Sequence, residues 1–229
     1  MRTCSVMQPT YVPWAGFFNL IAKSDVFVFL DDVQFQKNSW HNRNRLLVNH
    51  KPHWLTVPVK SNKLNQTIKE TEIDVTKHWR KKHRKILQQT YSKHPFASDM
   101  LEICSEIEKD KITHLADLNI HLILWILEKL EMNTEIFVSS KMSLEGKRTT
   151  RLISILKKLQ ANRYLSPIGA MEYLQEDNFL GQTSIDLIFQ EYDPLPYEQM
   201  NQNSYESHLS ILDVVANIGW EEAKQYIKS

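Results

Sequence analysis

Residues 3–32 constrain this chain more than any other stretch. A short apolar segment, Thr3-Cys4-Ser5-Val6-Met7, leads into Gln8-Pro9-Thr10-Tyr11-Val12-Pro13-Trp14-Ala15-Gly16. An apolar run from Phe17 to Ala22 follows at helix spacing, and a second run, Val26 to Leu30, ends in Asp31-Asp32. Strand, loop, helix and strand in that order predict a right-handed βαβ crossover, the start of a parallel sheet. In open parallel sheets the ligand crevice lies beyond the carboxyl ends of the strands. The loop beginning at Gln8 and the Asp31–Asp32 pair both fall at that edge, which makes it the predicted site.

The remaining pattern extends this reading. Residues 46–48 and 54–59 flank Asn49-His50-Lys51-Pro52 and predict a β-hairpin. Ile68, Ile73 and Val75 alternate with charged residues and predict an exposed strand over 67–75. From Lys77 the period turns helical, with Trp79, His83, Ile86, Leu87 and Tyr91 at helix spacing opposite a very basic face. Further helices are predicted over 97–109 and 112–130, a buried strand over 133–139, and a helix capped by its leading threonines over 149–159. A short strand from Arg163 enters a loop, a helical turn covers 170–174, a strand covers 184–189, and a Pro- and Tyr-containing loop covers 191–203. Two closing helices, 209–217 and 220–227, are split by Gly219. The expectation is one α/β domain over residues 1–229. Its parallel sheet is of Rossmann-like or nucleotidylyltransferase-like type, with a mainly helical insert at about 77–130.

Charge and cysteine content exclude several classes. The 28 basic and 27 acidic residues leave a net charge of +1, so no global field recruits DNA or a membrane surface. Cys4 and Cys104 stand apart in apolar surroundings and read as core residues, not as a disulfide. Neither Cys-x-x-Cys nor His-Glu-x-x-His occurs, so no metal site is expected. No apolar run reaches the roughly 18 residues of a membrane span. The chain is expected to be soluble and cytoplasmic.

Several residue types point to chemistry. Gln8 and Tyr11 occupy a loop whose two prolines, Pro9 and Pro13, fix its backbone, which suits an amide and a phenol to read a base, sugar or carbonyl. Trp14 either joins them or caps the sheet edge. Asp31 or Asp32 could act as a general base, or as a magnesium or hydroxyl ligand, although adjacent strand residues face opposite ways unless the strand has ended. Trp40, Asn42, Arg43 and Arg45 bring an indole, an amide and two planar guanidinium forks suited to phosphate oxygens. His83 lies four residues beyond Trp79 and titrates near neutrality, so it is either an acid–base group or a packed core histidine. Lys82 belongs to the basic helix face, an ordinary solvated face or a docking surface for an acidic carrier or tRNA. Tyr164, Ser166 and Gly169 form a strand–loop–helix junction that could position a ligand, and Gln199 occupies the polar loop after Tyr197. Asp213, set within an apolar helix, needs hydrogen-bond partners for structural reasons.

The motifs Gln-Pro-Thr-Tyr-Val-Pro-Trp-Ala-Gly-Phe-Phe, Asp-Val-Phe-Val-Phe-Leu-Asp-Asp-Val-Gln-Phe and Ser-Trp-His-Asn-Arg-Asn-Arg stand in that order. Trp-Leu-Thr-Val-Pro-Val, Trp-Arg-Lys-Lys-His, Tyr-Leu-Ser-Pro-Ile-Gly-Ala and Leu-Ser-Ile-Leu-Asp with Asn-Ile-Gly follow. Over almost its whole length the chain resembles the WbqC-like proteins of bacterial O-antigen and other surface-glycan gene clusters. Pro167 stands where members commonly have Gly. The resemblance implies a role in building a surface polysaccharide, by transfer of glycine or another acyl group onto a nucleotide-linked amino sugar. The donor would be an aminoacyl-tRNA, an acyl or peptidyl carrier protein, or an acyl adenylate made in place with ATP and Mg. Residues 1–45 also resemble, in topology, the adenylate-forming and nucleotidyl-transferring α/β proteins such as pantothenate synthetase. Those carry a histidine pair in the first loop, whereas Pro13-Trp14-Ala15-Gly16 has none. Two other readings stand beside the transferase. One is a nucleotidyl- or glycosyltransferase-like enzyme or ligase, and the other a non-catalytic protein that binds a sugar nucleotide.

Overall fold

The first strand, β1 (Thr3–Met7), is followed by α1 (Ala15–Ala22) and β2 (Val26–Phe29). A hairpin of β3 (Arg43–Val48) and β4 (Lys51–Thr56) comes next, then helices α2 (Trp79–Tyr91), α3 (Ala97–Leu101), α4 (Ile103–Ile107) and α5 (Leu115–Lys129). The chain continues through β5 (Glu135–Val138), α6 (Arg148–Lys158), β6 (Arg163–Ser166), α7 (Met171–Glu176), α8 (Phe179–Gln182), β7 (Asp186–Phe189) and α9 (Ile211–Lys228). This is a computed structural model that describes residues 1–60, 65–200 and 204–229.

Five strands form a parallel sheet in the order β5-β2-β1-β6-β7. The chain steps outward from β1 through β2 to β5, then returns to lay β6 on the other side of β1. That is the Rossmann-like order, with its reversal between β1 and β6. A crossover rule of fixed hand sends helices to opposite faces when the direction reverses. Phe17 and Phe18 of α1 accordingly pack with Phe27, Phe29, α5 and α9 on one face. Leu152, Ile155 and Leu156 of α6 pack with Cys4, Val6, Val26 and Val28 on the other. The period of two along Val26-Phe27-Val28-Phe29 thus supplies both cores from one fully buried strand.

Several boundaries differ from expectation. The hairpin closes on Asn49 and His50 alone, both in left-handed backbone (φ 49° and 63°), which suits the twist of a two-residue turn. Residues 67–75 are not a strand. Thr67 and Glu70 close a turn, Glu70 accepting from the Thr67 amide and hydroxyl, while Ile68 and Ile73 point into the core. Ile68 lies in that turn, and Glu72 and Ile73 make only isolated bridges, to His114 and Val59. The helix expected over 97–109 is interrupted at Glu102. Strand β5 lies at the sheet edge and is only half-buried. Helix α6 is capped by Thr150 reaching back to the Lys147 amide. Gly219 (φ 74°, ψ 175°) kinks α9 as its sequence implied. Residues 201–203 of the loop expected over 191–203 lie outside the described residues. No helix among the described residues is long and apolar enough to cross a membrane.

Candidate functional site

The carboxyl edge of the sheet collects Gln8 after β1, Asp31 and Asp32 after β2, Ser139 and Ser140 after β5, Ser166 at the end of β6, and Gln190 after β7. Strand β2 ends at Phe29, so alternation no longer applies and both aspartates turn toward the end of β5. Asp31, 4% exposed, accepts from the Ser139 hydroxyl (3.1 Å) and from the Ser140 amide (3.0 Å) and hydroxyl (2.7 Å). Asp32 accepts from the same Ser139 hydroxyl (2.6 Å) and forms an ion pair with Arg151 of α6. Asp31 therefore ties β2 to β5, and Asp32 is the more exposed carboxylate at the edge. One strand over, the half-buried Gln8 amide has no side-chain hydrogen-bond partner among the described residues.

The loop that carries Gln8 is held from three sides. Asn119 of α5 donates to the carbonyls of Pro9 (3.0 Å) and His41 (2.8 Å). Asn44 of β3 donates to those of Tyr11 (3.1 Å) and Val12 (2.9 Å), and Ser210 to that of Val12 (2.7 Å). Val12 is held at φ 36°, a conformation a β-branched residue rarely adopts. The loop turns Tyr11 inward, where it is fully buried and burial raises its hydroxyl pKa. That hydroxyl meets His83 Nδ1 at 2.9 Å, and His83 Nε2 meets the Thr56 carbonyl at 3.0 Å. A carbonyl only accepts, so Nε2 carries the proton and Nδ1 accepts from Tyr11. Burial lowers the His83 pKa to about 4 against the opposing pull of the Thr56 bond. Both ring nitrogens are engaged, and this histidine holds the loop from inside the core. Trp14 lies over Gly16, where a Cβ would sit 2.1 Å from the indole, and stacks on His208 at 4.6 Å.

On the hairpin, Arg45 and Trp54 are directly opposed and Arg43 is two residues back on the same face. The Arg43 guanidinium lies over the Trp54 ring, 4.0 Å from its centroid. Trp54 meets Trp40 at 5.2 Å with the rings tilted by 52°, and the Arg45 guanidinium lies 5.9 Å from the Trp40 ring centroid. Arg45 is anchored to Glu206 (3.4 Å) and to the carbonyls of Ser207 and His208. The Arg43 side chain has no hydrogen-bond or ion-pair partner among the described residues, and its Nε is buried. Asn42 is buried, donating to the Val57 carbonyl, and its Oδ1 has no partner among the described residues. The Tyr11 amide donates to the Trp40 carbonyl (3.1 Å), which fixes this segment to the loop at the carboxyl edge.

The sequence model of the WbqC-like protein family matches residues 8–225. The chain belongs to the WbqC-like protein family. It is 32% identical to a Mycobacterium tuberculosis (strain ATCC 25618 / H37Rv) protein named "Uncharacterized protein Rv1507c", an alignment covering 100% of this chain and 98% of that one. No solved structure matches the chain significantly.

The WbqC-like match begins at Gln8, spans the loop, the aspartates and the hairpin, and ends within α9. The other sequence candidates lie apart from the carboxyl-edge cluster or are enclosed. Lys82 is exposed on α2. Tyr164 and Ser166 are buried, and burial raises the Tyr164 hydroxyl pKa. Gly169 is exposed in the loop after β6, with open space where a Cβ would be. Gln199 donates to the Glu206 carbonyl (2.8 Å) and the Tyr197 hydroxyl (3.2 Å), and accepts from the Glu206 amide. It belongs to a buried group around Asp213, which accepts from Tyr91 (2.9 Å) and Tyr197 (2.7 Å). Among the described residues no group of His, Cys, Asp or Glu could hold a metal ion. Both cysteines are free and buried, and burial pushes the Cys4 thiol up to about 12. Reading the sequence alone missed Arg151, Ser139 and Ser140, which share the aspartates, and Trp54, which supports Arg43. Only Trp54 left a signal, through its place opposite Arg45 in a hairpin.

Proposed function

We propose that this WbqC-like protein binds a nucleotide-linked amino sugar at the carboxyl edge of its sheet and transfers an acyl or aminoacyl group to the sugar amine. The observation that carries this reading is the Gln8 amide, without a side-chain partner among the described residues, one strand from Asp32, at the point where the strand order reverses. Open parallel sheets bind ligands there. The amine nitrogen attacks the activated acyl carbon, the new C–N bond forms, and the donor's C–O or C–S bond breaks. The amine proton passes to Asp32, whose partner Arg151 keeps its carboxylate oriented. Gln8 donates to the sugar or to the acyl oxygen as negative charge develops on it. His83 acts through Tyr11 as a positioning residue. The donor is an aminoacyl-tRNA, a carrier-protein thioester or an acyl adenylate.

A second reading, a sugar-nucleotide-binding assembly protein without turnover, is favoured by the enclosure of His83. The best-placed histidine of the sequence has no nitrogen left for a substrate. Calorimetry with nucleotide-linked amino and neutral sugars, followed by mass spectrometry after each donor is added, separates the readings. The transferase gives a product heavier by one acyl group from the amino sugar alone. Binding without any mass change under every donor selects the second reading, and no binding of either sugar rejects both.

A further inference from the structure

The hairpin holds the strongest feature that the transfer chemistry leaves unused. Trp40 is 45% exposed and Trp54 39% exposed, side by side on one face. Adjacent exposed indoles are uncommon on a protein surface without a ligand or partner. The two guanidinium groups that frame them differ. Arg45 is neutralised by Glu206 and tied to two carbonyls, so it is a structural strut. Arg43 lies over the Trp54 ring, its Cζ 4.0 Å from the ring centroid, with Nε buried and no acceptor on its guanidinium among the described residues. A guanidinium held against an indole, with its terminal nitrogens unpaired, offers a planar fork matched to phosphate oxygens. An open indole beside it offers a face to a planar base.

We propose that Trp40, Trp54 and Arg43 form a cradle for a nucleoside diphosphate, the indoles stacking the base and Arg43 binding the diphosphate. This rests on the reading of the ligand as a nucleotide-linked sugar and names the part of the protein that takes the nucleotide half. The Tyr11–Trp40 backbone bond ties the segment that carries Trp40 to the loop that presents Gln8. Arg43, without an ion-pair partner among the described residues, and a net charge of +1 suit a small diphosphate better than the long backbone of an RNA. Cation–π contact also strengthens the hairpin, but that alone requires neither the second exposed indole nor an unsatisfied fork.

The test measures binding of UDP, dTDP, GDP and ADP to the full chain by calorimetry and tryptophan fluorescence, with inorganic pyrophosphate, a free amino sugar and a short single-stranded RNA as comparisons. At least one nucleoside diphosphate binds and quenches the indole emission. Trp40→Ala and Arg43→Gln each weaken it by about tenfold or more. Trp40→Ala is the cleaner variant because Trp40 lies outside the strands, and its melting temperature stays near the parent's. Pyrophosphate binds more weakly, and responds to Arg43→Gln but not to Trp40→Ala. The proposal is overturned if no nucleoside diphosphate binds, if both variants bind it like the parent, or if the RNA or the free sugar binds more tightly. A sugar nucleotide whose affinity falls in Gln8→Ala but not in Trp40→Ala or Arg43→Gln sinks the cradle and leaves the carboxyl-edge reading standing. A nucleoside diphosphate lost in Trp40→Ala, with no acyl product from any donor, keeps the cradle and sinks the transfer reading.

Discussion

Tyr11 and His83, 72 residues apart, meet in a 2.9 Å hydrogen bond inside the core. The bond links the loop after β1 to the first turns of α2, and through His83 Nε2 to the end of β4. Three elements that surround the carboxyl edge are thereby fixed by one imidazole in one tautomer. Removing the phenol oxygen alone should expose how much this contributes. Tyr11→Phe keeps the ring packing but leaves Nδ1 buried without a donor, which costs about 1–3 kcal/mol. Chemical denaturation should show that loss with an unchanged slope. A variant as stable as the parent would show that the bond carries no net stability.

The same histidine predicts a pH response. The unfolded chain takes up a proton near pH 6.5, whereas folded His83 does so only near 4, because burial disfavours the charged ring. Between those values the unfolded state binds more protons. Stability is therefore full above pH 6.5 and falls as the pH drops toward 4, by about 3 kcal/mol from this one group. His41, lowered to about 4 by burial, acts in the same direction. Unfolding free energies measured from pH 7.5 to 4.5 should decline, and His83→Gln should flatten the curve. An identical slope in the variant contradicts the assignment.

Gln8 makes the opposite prediction. Its amide has no side-chain partner among the described residues, so Gln8→Ala should leave stability within about 0.5 kcal/mol of the parent. Affinity for a nucleotide-linked amino sugar should fall by about 0.5–1.5 kcal/mol, the net worth of one neutral hydrogen bond. Calorimetry and thermal melts on one preparation read both quantities. Lost stability with unchanged affinity would make Gln8 a packing residue.

Gly219 should tolerate no side chain. Its backbone (φ 74°, ψ 175°) lies where almost only glycine is found, and a Cβ would come 2.7 Å from the Phe96 ring. Gly219→Ala should cost at least about 2 kcal/mol of backbone strain and overlap. Adding Phe96→Ala removes the overlap but not the strain, so the double variant should recover only part of the loss attributed to Gly219→Ala. Full recovery would place the whole cost in the ring contact.

The sequence by itself determined the βαβ start, the parallel α/β class and the kink at Gly219, because each depends on local periodicity or on one residue's allowed backbone. It also marked Gln8 and the Asp31–Asp32 pair as edge residues, since strand ends are readable from where apolar runs stop. The tertiary structure decided what those residues touch. Asp31 is taken up by Ser139 and Ser140, Asp32 by Arg151 from a helix 119 residues away, and Tyr11 by His83. Spacing within α2 placed His83 beside Trp79 correctly, yet could not reveal that Thr56 and Tyr11 close both of its nitrogens. The difference between Arg43 and Arg45 was likewise invisible, because it depends on Glu206 and the carbonyls of Ser207 and His208 reaching only one of them. Local chemistry fixes which side chains stand at an edge. Burial and partners contributed from distant parts of the chain decide which of them remain free to bind.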